Sequence, residues 1–144
     1  MSKARLVFME GIDKAGKTTL IPGVREGTGF RHVLVDRGPI SNMAYTAKFH
    51  RSTDIYWDNN DLMANIGPYS ALVIVDASNE DVLQRIKEAG DPVIDPEKDR
   101  RLFESVFERY QPDIRDVPVL RVNTSVMSQE RAVNKICDWL NHLA

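Results

Sequence analysis

The sequence predicts an α/β fold, in which a parallel sheet is covered by helices on both faces. Segments of strand character alternate along the chain with segments whose apolar residues recur at helical spacing. Residues 71–76 (ALVIVD) are apolar up to the final aspartate, which is typical of a central strand buried on both sides. A chain of 144 residues is long enough to bury one core, so residues 1–144 are expected to form a single domain.

Four strands are expected, and each is a short run rich in Leu, Val or Ile. The second of them is followed directly by Asp36, and the third is the buried segment described above. The predicted strands cover residues 6–9, 32–35, 71–76 and 117–122.

Six helices are expected from the spacing of apolar residues, although Pro22 weakens the first. Ser78 and Asp81 have the spacing of a capping box at the start of the fourth, which Gly90 closes. A loop that we expect at about residues 90–97 leads into the fifth, for which Asp95 and Pro96 suit the N-cap and first position. The predicted helices cover about residues 16–26, 40–47, 55–66, 79–89, 96–110 and 128–143.

The composition excludes several classes of protein. No apolar run reaches the ~20 residues of a membrane helix, and the N-terminus MSKARLVFME lacks the apolar segment of a signal peptide. We therefore expect no membrane partner and a cytoplasmic location. A net charge of -2 leaves no general basic surface and argues against strong nucleic-acid binding. The single cysteine, Cys137, lies on an apolar helix stripe and is expected to be a reduced core residue.

The loop after the first strand carries the strongest functional signal. Residues 11–18, GIDKAGKT, fit the P-loop pattern G-x-x-x-x-G-K-[ST] between a predicted strand and a predicted helix. Glycines allow the backbone N–H groups to point inward, and the helix adds its positive end, so the loop can hold phosphates. Lys17 would reach the β- and γ-phosphates, and the Thr18 hydroxyl would coordinate Mg²⁺. The predicted triphosphate-binding residues are Gly11, Asp13, Lys14, Ala15, Gly16, Lys17, Thr18 and Thr19.

Asp36 ends a strand that should lie beside the loop-bearing strand, where parallel strand ends form a ligand crevice. Its carboxylate could bind the hydration shell of Mg²⁺ or accept a proton from the acceptor hydroxyl. A helix-capping role for Asp36 is the alternative.

The chain resembles thymidylate kinases and the related deoxynucleoside kinases. Residues 9–20, MEGIDKAGKTTL, are similar to their P-loop, and residues 36–45, DRGPISNMAY, resemble their Asp-Arg motif and the helix after it. Three further segments resemble the family in the same order, namely residues 71–86, 102–110 and 122–125. The resemblance implies a three-layer α/β/α P-loop NTPase fold and transfer of the ATP γ-phosphate to a nucleotide-like acceptor.

The resemblance also implies roles for individual residues. Arg37 would contact an acceptor phosphate, with a surface ion pair as the alternative. Asp13 would lie near the acceptor side, or else be a solvated loop charge. Asn123 would lie in the loop beside the adenine, and Arg85 matches an arginine of the family that a helix-surface position explains equally well. Two arginines after the lid-like loop are further candidates for the γ-phosphate, with a solvated helix face as the alternative: Arg100 and Arg101.

Only residues 20–31 separate the P-loop from the second strand, whereas thymidylate kinases insert a further strand and helical material there. We therefore expect four parallel strands in the order 2-1-3-4 and an open acceptor side. Such an opening suits the compact bacteriophage kinases of 5-hydroxymethyluracil in DNA, whose target base would be flipped into the site. Aromatic and basic residues that could meet DNA, or belong partly to the core, are Tyr45, Lys48, Phe49, His50, Arg51, Tyr56 and Trp57.

Together these features predict a kinase that uses ATP and Mg²⁺, with Lys17, Asp36 and Arg37 as catalytic residues. The acceptor is expected to be a thymidine-related hydroxyl, with 5-hydroxymethyluracil in DNA ahead of a free nucleotide; a phage origin would place the protein in the host cytoplasm. A kinase of dTMP or of another deoxynucleotide or deoxynucleoside remains open, as does a nucleotide-binding protein without catalysis. The oligomeric state is not indicated.

Overall fold

The computed structural model describes residues 3–49, 65, 67–114 and 116–143. Four parallel strands form one sheet with the order β2-β1-β3-β4, which confirms the predicted topology. The strands are β1 (Leu6–Glu10), β2 (Val33–Asp36), β3 (Ser70–Asp76) and β4 (Val119–Asn123). Each lies within two residues of its predicted position.

Five α-helices lie within the described ranges and give a three-layer α/β/α arrangement, in which α1 packs against α5 and α2 against α4. The helices are α1 (Lys17–Gly27), α2 (Pro39–Lys48), α3 (Asn79–Ala89), α4 (Pro96–Ile114) and α5 (Gln129–His142). The predicted helix over residues 55–66 falls outside the described residues except at position 65, and a short 3₁₀ turn follows at Gly67–Tyr69.

The caps of α3 confirm the predicted ends of this helix and half of the capping box, since the Ser78 N–H donates to the Ser125 hydroxyl at 2.8 Å instead of to Asp81. The Ser78 hydroxyl accepts a hydrogen bond from the Asp81 backbone N–H at 3.1 Å, which satisfies one of the free donors at the helix start. At the other end Gly90 adopts the left-handed conformation, with a φ of 70°, and stops the helix.

The register of the sheet positions the residues that the sequence predicts to be functional. Met9 of β1 is paired with Asp36 of β2, and Glu10 is paired with Ile74 of β3. Because the strands are parallel, their carboxyl ends meet at one edge of the sheet. The loop after β1 and the carboxylate that ends β2 are therefore neighbours.

Helix α1 continues through the exposed Pro22 because it buries Leu20, Ile21 and Val24 in the core. Each fully buried side chain of this kind contributes about 1.5–3 kcal/mol, which is comparable to the cost of an internal proline. Cys137 of α5 is buried against this helix, as predicted for a core cysteine. Within the described ranges, no helix combines the length and apolarity that a membrane crossing requires.

Candidate active site

The loop between β1 and α1 curls because several of its residues have positive φ. Gly11 and Gly16 have φ values of 135° and 110°, and Lys14 has a φ of 63°. A Cβ atom on Gly11 would lie 2.1 Å from the carbonyl oxygen of Val75, so only glycine fits there. The loop closes on itself through Lys17, whose Nζ donates to the Gly11 carbonyl at 2.5 Å.

Helix α1 begins at the end of this loop. Its N-cap is Gly16, which has no side chain with which to satisfy the first N–H groups of the helix. These N–H groups and the positive end of the helix dipole face the loop, which makes this position suited to an anion.

Lys17 brings a positive charge into the interior of the loop, where the residue is only 6% exposed. Burial lowers the pKa of its ammonium group, and the nearby Arg37 charge lowers it further, whereas the carboxylates of Asp13 and Asp36 act in the opposite direction. An anionic ligand beside Lys17 would stabilise its charged form.

Thr18 and Asp36 meet at the mouth of the loop. The Thr18 hydroxyl donates to Oδ2 of Asp36 at 2.9 Å, which brings together the start of α1 and the end of β2. A hydroxyl and a carboxylate are hard oxygen donors of the kind that Mg²⁺ prefers, and Mg²⁺ commonly takes few protein ligands and completes its shell with phosphates and water. The donor set therefore fits the metal that the sequence predicts.

On the other side of the loop, Arg37 forms a cluster with Asp13 and Tyr45. Its Nη2 lies 3.2 Å from Oδ1 of Asp13 and 3.3 Å from the Tyr45 hydroxyl oxygen. Its guanidinium carbon lies 4.1 Å from the centre of the Tyr45 ring, and the Tyr45 hydroxyl donates to Oδ2 of Asp13. Burial, followed by the hydrogen bond to Asp13, raises the pKa of Tyr45. The cluster fixes a planar cation next to the loop of residues 11–18, the proposed phosphate loop.

Two residues from distant elements support the outside of the loop. Arg85 of α3 donates to the Lys14 carbonyl at 2.8 Å and to the Thr124 hydroxyl at 3.1 Å. Thr124 in turn donates to the Ala15 carbonyl at 2.6 Å. Sequence reasoning identified Arg85 but not Thr124, which differs little from any threonine that follows a strand. Asn123 stays beside them, where its side-chain oxygen accepts from the Ser125 backbone N–H at 2.8 Å.

Most of the predicted site residues line one cleft with a volume of about 950 Å³. The residues that the cleft brings together are Asp13, Lys14, Gly16, Lys17, Thr18, Thr19, Asp36, Arg37 and Arg85. Gly11, Ala15 and Asn123 are not among its lining residues, although the first two belong to the loop. On one side Lys14 forms an ion pair of 2.7 Å with Asp91, from the lid-like loop.

The arginines after the lid-like loop do not line the cleft. Arg100 lies 2.9 Å from Oδ2 of Asp76 and donates to the Ala77 carbonyl at 2.7 Å, so it fastens α4 to the end of β3. Arg101 pairs with Glu97 on the exposed face of α4, 3.2 Å away.

The residues predicted to meet DNA have mixed surroundings. Tyr45 belongs to the arginine cluster, and Lys48 pairs with Asp99 at 2.9 Å, whereas Phe49 is 52% exposed. The others, His50, Arg51, Tyr56 and Trp57, lie outside the described residues.

One buried residue beside the loop escaped the sequence analysis. Glu10 ends β1, is 0% exposed, and accepts hydrogen bonds from the first turn of α2. The sequence did contain a signal, since Glu10 ends an otherwise apolar central strand. A carboxylate buried there needs hydrogen-bond partners, which predicts a structural or functional contact.

Several solved structures are similar to this chain, among them the following two. The YorR protein of Bacillus subtilis, in complex with phosphorylated GDP, has 18% identity and a TM-score of 0.66, covering 94% of this chain and 95% of its own. A sugar kinase from Janibacter sp. HTCC2649, solved without ligand, has 14% identity and a TM-score of 0.53, covering 96% and 95%. At such identities the likeness concerns the fold, which is shared over nearly the full length of the chains. No protein-family model and no curated protein matches the sequence.

Proposed function

We propose that this protein is a phosphotransferase that uses ATP and Mg²⁺. The observation that carries the proposal is the contact between Thr18 and Asp36 at the mouth of a glycine loop that also holds Lys17. A loop that only bound an anion would not need a carboxylate beside its hydroxyl. The nucleotide complex of the structural neighbour YorR supports nucleotide binding in this cleft.

In this proposal the residues of the cleft divide the work, and Asp36 has two tasks. Backbone N–H groups of the loop and of the α1 terminus hold the triphosphate, and Lys17 leaves the Gly11 carbonyl for the β- and γ-phosphates. Thr18 and Asp36 would hold Mg²⁺, which when bound neutralises charge on the β- and γ-phosphate oxygens. Arg37 would orient a phosphate of the acceptor with its guanidinium fork.

Our leading acceptor is the hydroxymethyl group of 5-hydroxymethyluracil in DNA. It is supported by the short connection from α1 to β2, residues 28–32, which contains no additional strand to cover the acceptor side. A large substrate could itself exclude water from such a site. The acceptor oxygen would form a bond to the γ-phosphorus as the bond to the β,γ-bridging oxygen breaks. ADP would leave, and the hydroxyl proton would pass to the Asp36 carboxylate.

A free nucleotide such as dTMP is the second candidate. The net charge of -2 favours it, because a DNA-binding surface is usually basic. The ion pair with Asp99 also neutralises the positive charge of Lys48, which would otherwise be able to bind a DNA phosphate. In dTMP the attacking oxygen belongs to a phosphate, which needs no base at neutral pH, so Asp36 would act only through the metal.

Transfer of label from γ-labelled ATP distinguishes these acceptors. The protein and Mg²⁺ are incubated with dTMP, with thymidine, with an oligonucleotide containing 5-hydroxymethyluracil, and with the same oligonucleotide containing thymine. We expect label only in the hydroxymethyluracil oligonucleotide. Label in dTMP alone would reject the DNA acceptor, and label in no acceptor, with or without ATP hydrolysis, would favour a nucleotide-binding protein without transferase activity.

A further inference from the structure

Glu10 is a buried carboxylate on a central strand, and it accepts hydrogen bonds from backbone N–H groups of a helix. Taking such a group out of water is costly unless hydrogen bonds replace its hydration. The described contacts of both its oxygens run to the start of α2. Oε1 accepts from the Gly38 N–H, and Oε2 accepts from the N–H groups of Ile40 at 2.8 Å and Ser41 at 3.3 Å.

Helix α2 has few means of capping itself. Its N-cap is Gly38, its first residue is Pro39, which has no N–H, and its first turn contains no acidic residue. Glu10 supplies both the acceptors and the negative charge that a helix start favours, from a different element. A Cβ atom on Gly38 would lie 2.8 Å from Oε1 of Glu10, so the glycine admits the carboxylate.

The segment held in this way carries the site. Asp36 and Arg37 directly precede Gly38, and Arg37 has a φ of 74°, which is unfavourable for a residue other than glycine. The Arg37 N–H donates to the Met9 carbonyl at 2.9 Å, so the turn is hydrogen-bonded to β1 at Arg37 and again at Gly38. Ser41 also accepts from the Gly11 N–H at 3.3 Å, which links α2 to the phosphate loop.

We propose that Glu10 is a positioning residue, whose carboxylate ties α2 to β1 and thereby fixes Asp36 and Arg37 relative to the phosphate loop. The proposal rests on the proposed function, because it assigns the effect of Glu10 to the metal-holding and acceptor-binding groups. Burial raises the pKa of Glu10, and the N–H groups of Gly38, Ser41 and Ile40 lower it in part. A glutamine would offer one acceptor oxygen instead of two and would turn an NH₂ group toward N–H donors.

The test compares Glu10→Gln with Glu26→Gln, which changes an exposed glutamate of α1. Affinity for ATP is measured by calorimetry with Mg²⁺ and with EDTA, and exchange of the amide hydrogens is followed by NMR. In the wild-type protein, Mg²⁺ should raise the affinity for ATP above that in EDTA. For Glu10→Gln we expect this increase to be about 10-fold smaller, because Asp36 is displaced. Affinity in EDTA should stay within about 3-fold of wild type, since the phosphate loop itself is intact.

The acceptor assay adds a second readout. The KM for the acceptor should rise by about 10- to 100-fold through Arg37, and Glu26→Gln should match wild type throughout. A purely structural Glu10 would lower the melting temperature and leave both the magnesium gain and the acceptor KM unchanged, which would overturn the proposal. If wild type transfers phosphate and only this pattern is missing, the positioning role alone fails. If wild type binds no ATP, the proposed function and the positioning role fail together.

A measurement on the wild-type protein covers the case in which Glu10→Gln does not fold. The amides of Gly38, Ile40 and Ser41 should exchange as slowly as those of β1, to which they are tied. Exchange of these amides as fast as that at the far end of α2 would overturn the proposal.

Discussion

At the scale of single residues, Lys17 is the side chain on which the proposed phosphate binding depends. We expect Lys17→Ala to lower kcat for phosphoryl transfer by at least about 100-fold, because a preorganised cation near the γ-phosphate is lost. Thermal stability should not fall, since the substitution removes a buried charge whose pKa burial already lowers. Steady-state kinetics and a melting curve measure the two effects. Lys135→Ala, on the exposed face of α5, is the matched control, and transfer at the wild-type rate by Lys17→Ala would exclude a phosphate role.

Asp36 has two proposed roles, and its amide variant separates them. We expect Asp36→Asn to lower kcat by about 100-fold or more with a hydroxyl acceptor, because the amide neither accepts the proton nor binds the metal well. If Asp36 acts only through the metal, raising the Mg²⁺ concentration should recover much of the rate. The rate is measured across Mg²⁺ concentrations beside Asp138→Asn, an exposed control. An unchanged kcat would remove Asp36 from the reaction.

The residues that could be predicted from the sequence are those that belong to a short local pattern. Lys17 and Thr18 follow from the P-loop pattern, and Asp36 follows from its place after a strand. Glu10 and the contact of Tyr45 with Asp13 depend on residues about 30 positions apart meeting in space. No periodicity reports such contacts, because they arise from the crossover between parallel strands.

At the scale of elements, a substitution at the end of α3 measures the cost of the left-handed backbone conformation alone. Gly90 has a φ of 70°, and a Cβ atom there would meet nothing within 4 Å. We expect Gly90→Ala to lower the free energy of unfolding by about 1 kcal/mol, because the left-handed conformation is strained for alanine. Gly90→Asn should lose less, since asparagine tolerates this conformation. Urea denaturation measures both, and equal stability of all three proteins would contradict the assignment of this cap.

Element boundaries differ from the prediction for identifiable reasons. Helix α1 begins at Lys17 because Gly16, with a φ of 110°, cannot be helical. The fourth strand begins after Pro118, which has no N–H to donate to the sheet. Strands β1 and β2 each extend into an acidic residue, since the sheet continues pairing where the apolar pattern stops.

At the scale of the whole molecule, we expect His32 to make stability depend on pH. It is 5% exposed, its Nδ1 accepts from the Arg5 N–H at 3.0 Å, and its Nε2 has no hydrogen-bond partner among the described residues. Burial, with the charges of Arg31 and Arg5, lowers the pKa of His32 below its ordinary value of 6.5. As the pH falls below 6.5, the unfolded chain therefore binds a proton that the folded protein does not.

We accordingly expect the free energy of unfolding to decrease as the pH falls below that value, by at most about 1.4 kcal/mol per pH unit from this group. Above it, His32 should contribute no pH dependence. Denaturation at a series of pH values measures the effect, and His32→Asn should reduce the slope while the exposed His142→Asn leaves it unchanged. An identical slope in His32→Asn would assign the pH dependence elsewhere.

The strand order was predicted through the resemblance to thymidylate kinases and the short connection of residues 20–31, and the structure confirms it. The pattern of elements alone indicates only that the buried third strand lies inside the sheet. The identity of the acceptor was not predictable in this way. It depends on the shape of the binding surface, whereas the fold follows from the order of strands and helices along the chain.

The packing of α1 against α5 has a consequence for how the protein is made. Gly27 lies so close to this helix that a Cβ atom on it would be 2.6 Å from Sγ of Cys137, more than a hundred positions later in the chain. During synthesis the phosphate loop and α1 therefore leave the ribosome long before α5, the helix against which α1 packs. A nascent chain that stops short of α5 should be unable to retain nucleotide, and a ribosome-bound ladder of lengths would reveal the point at which that ability appears.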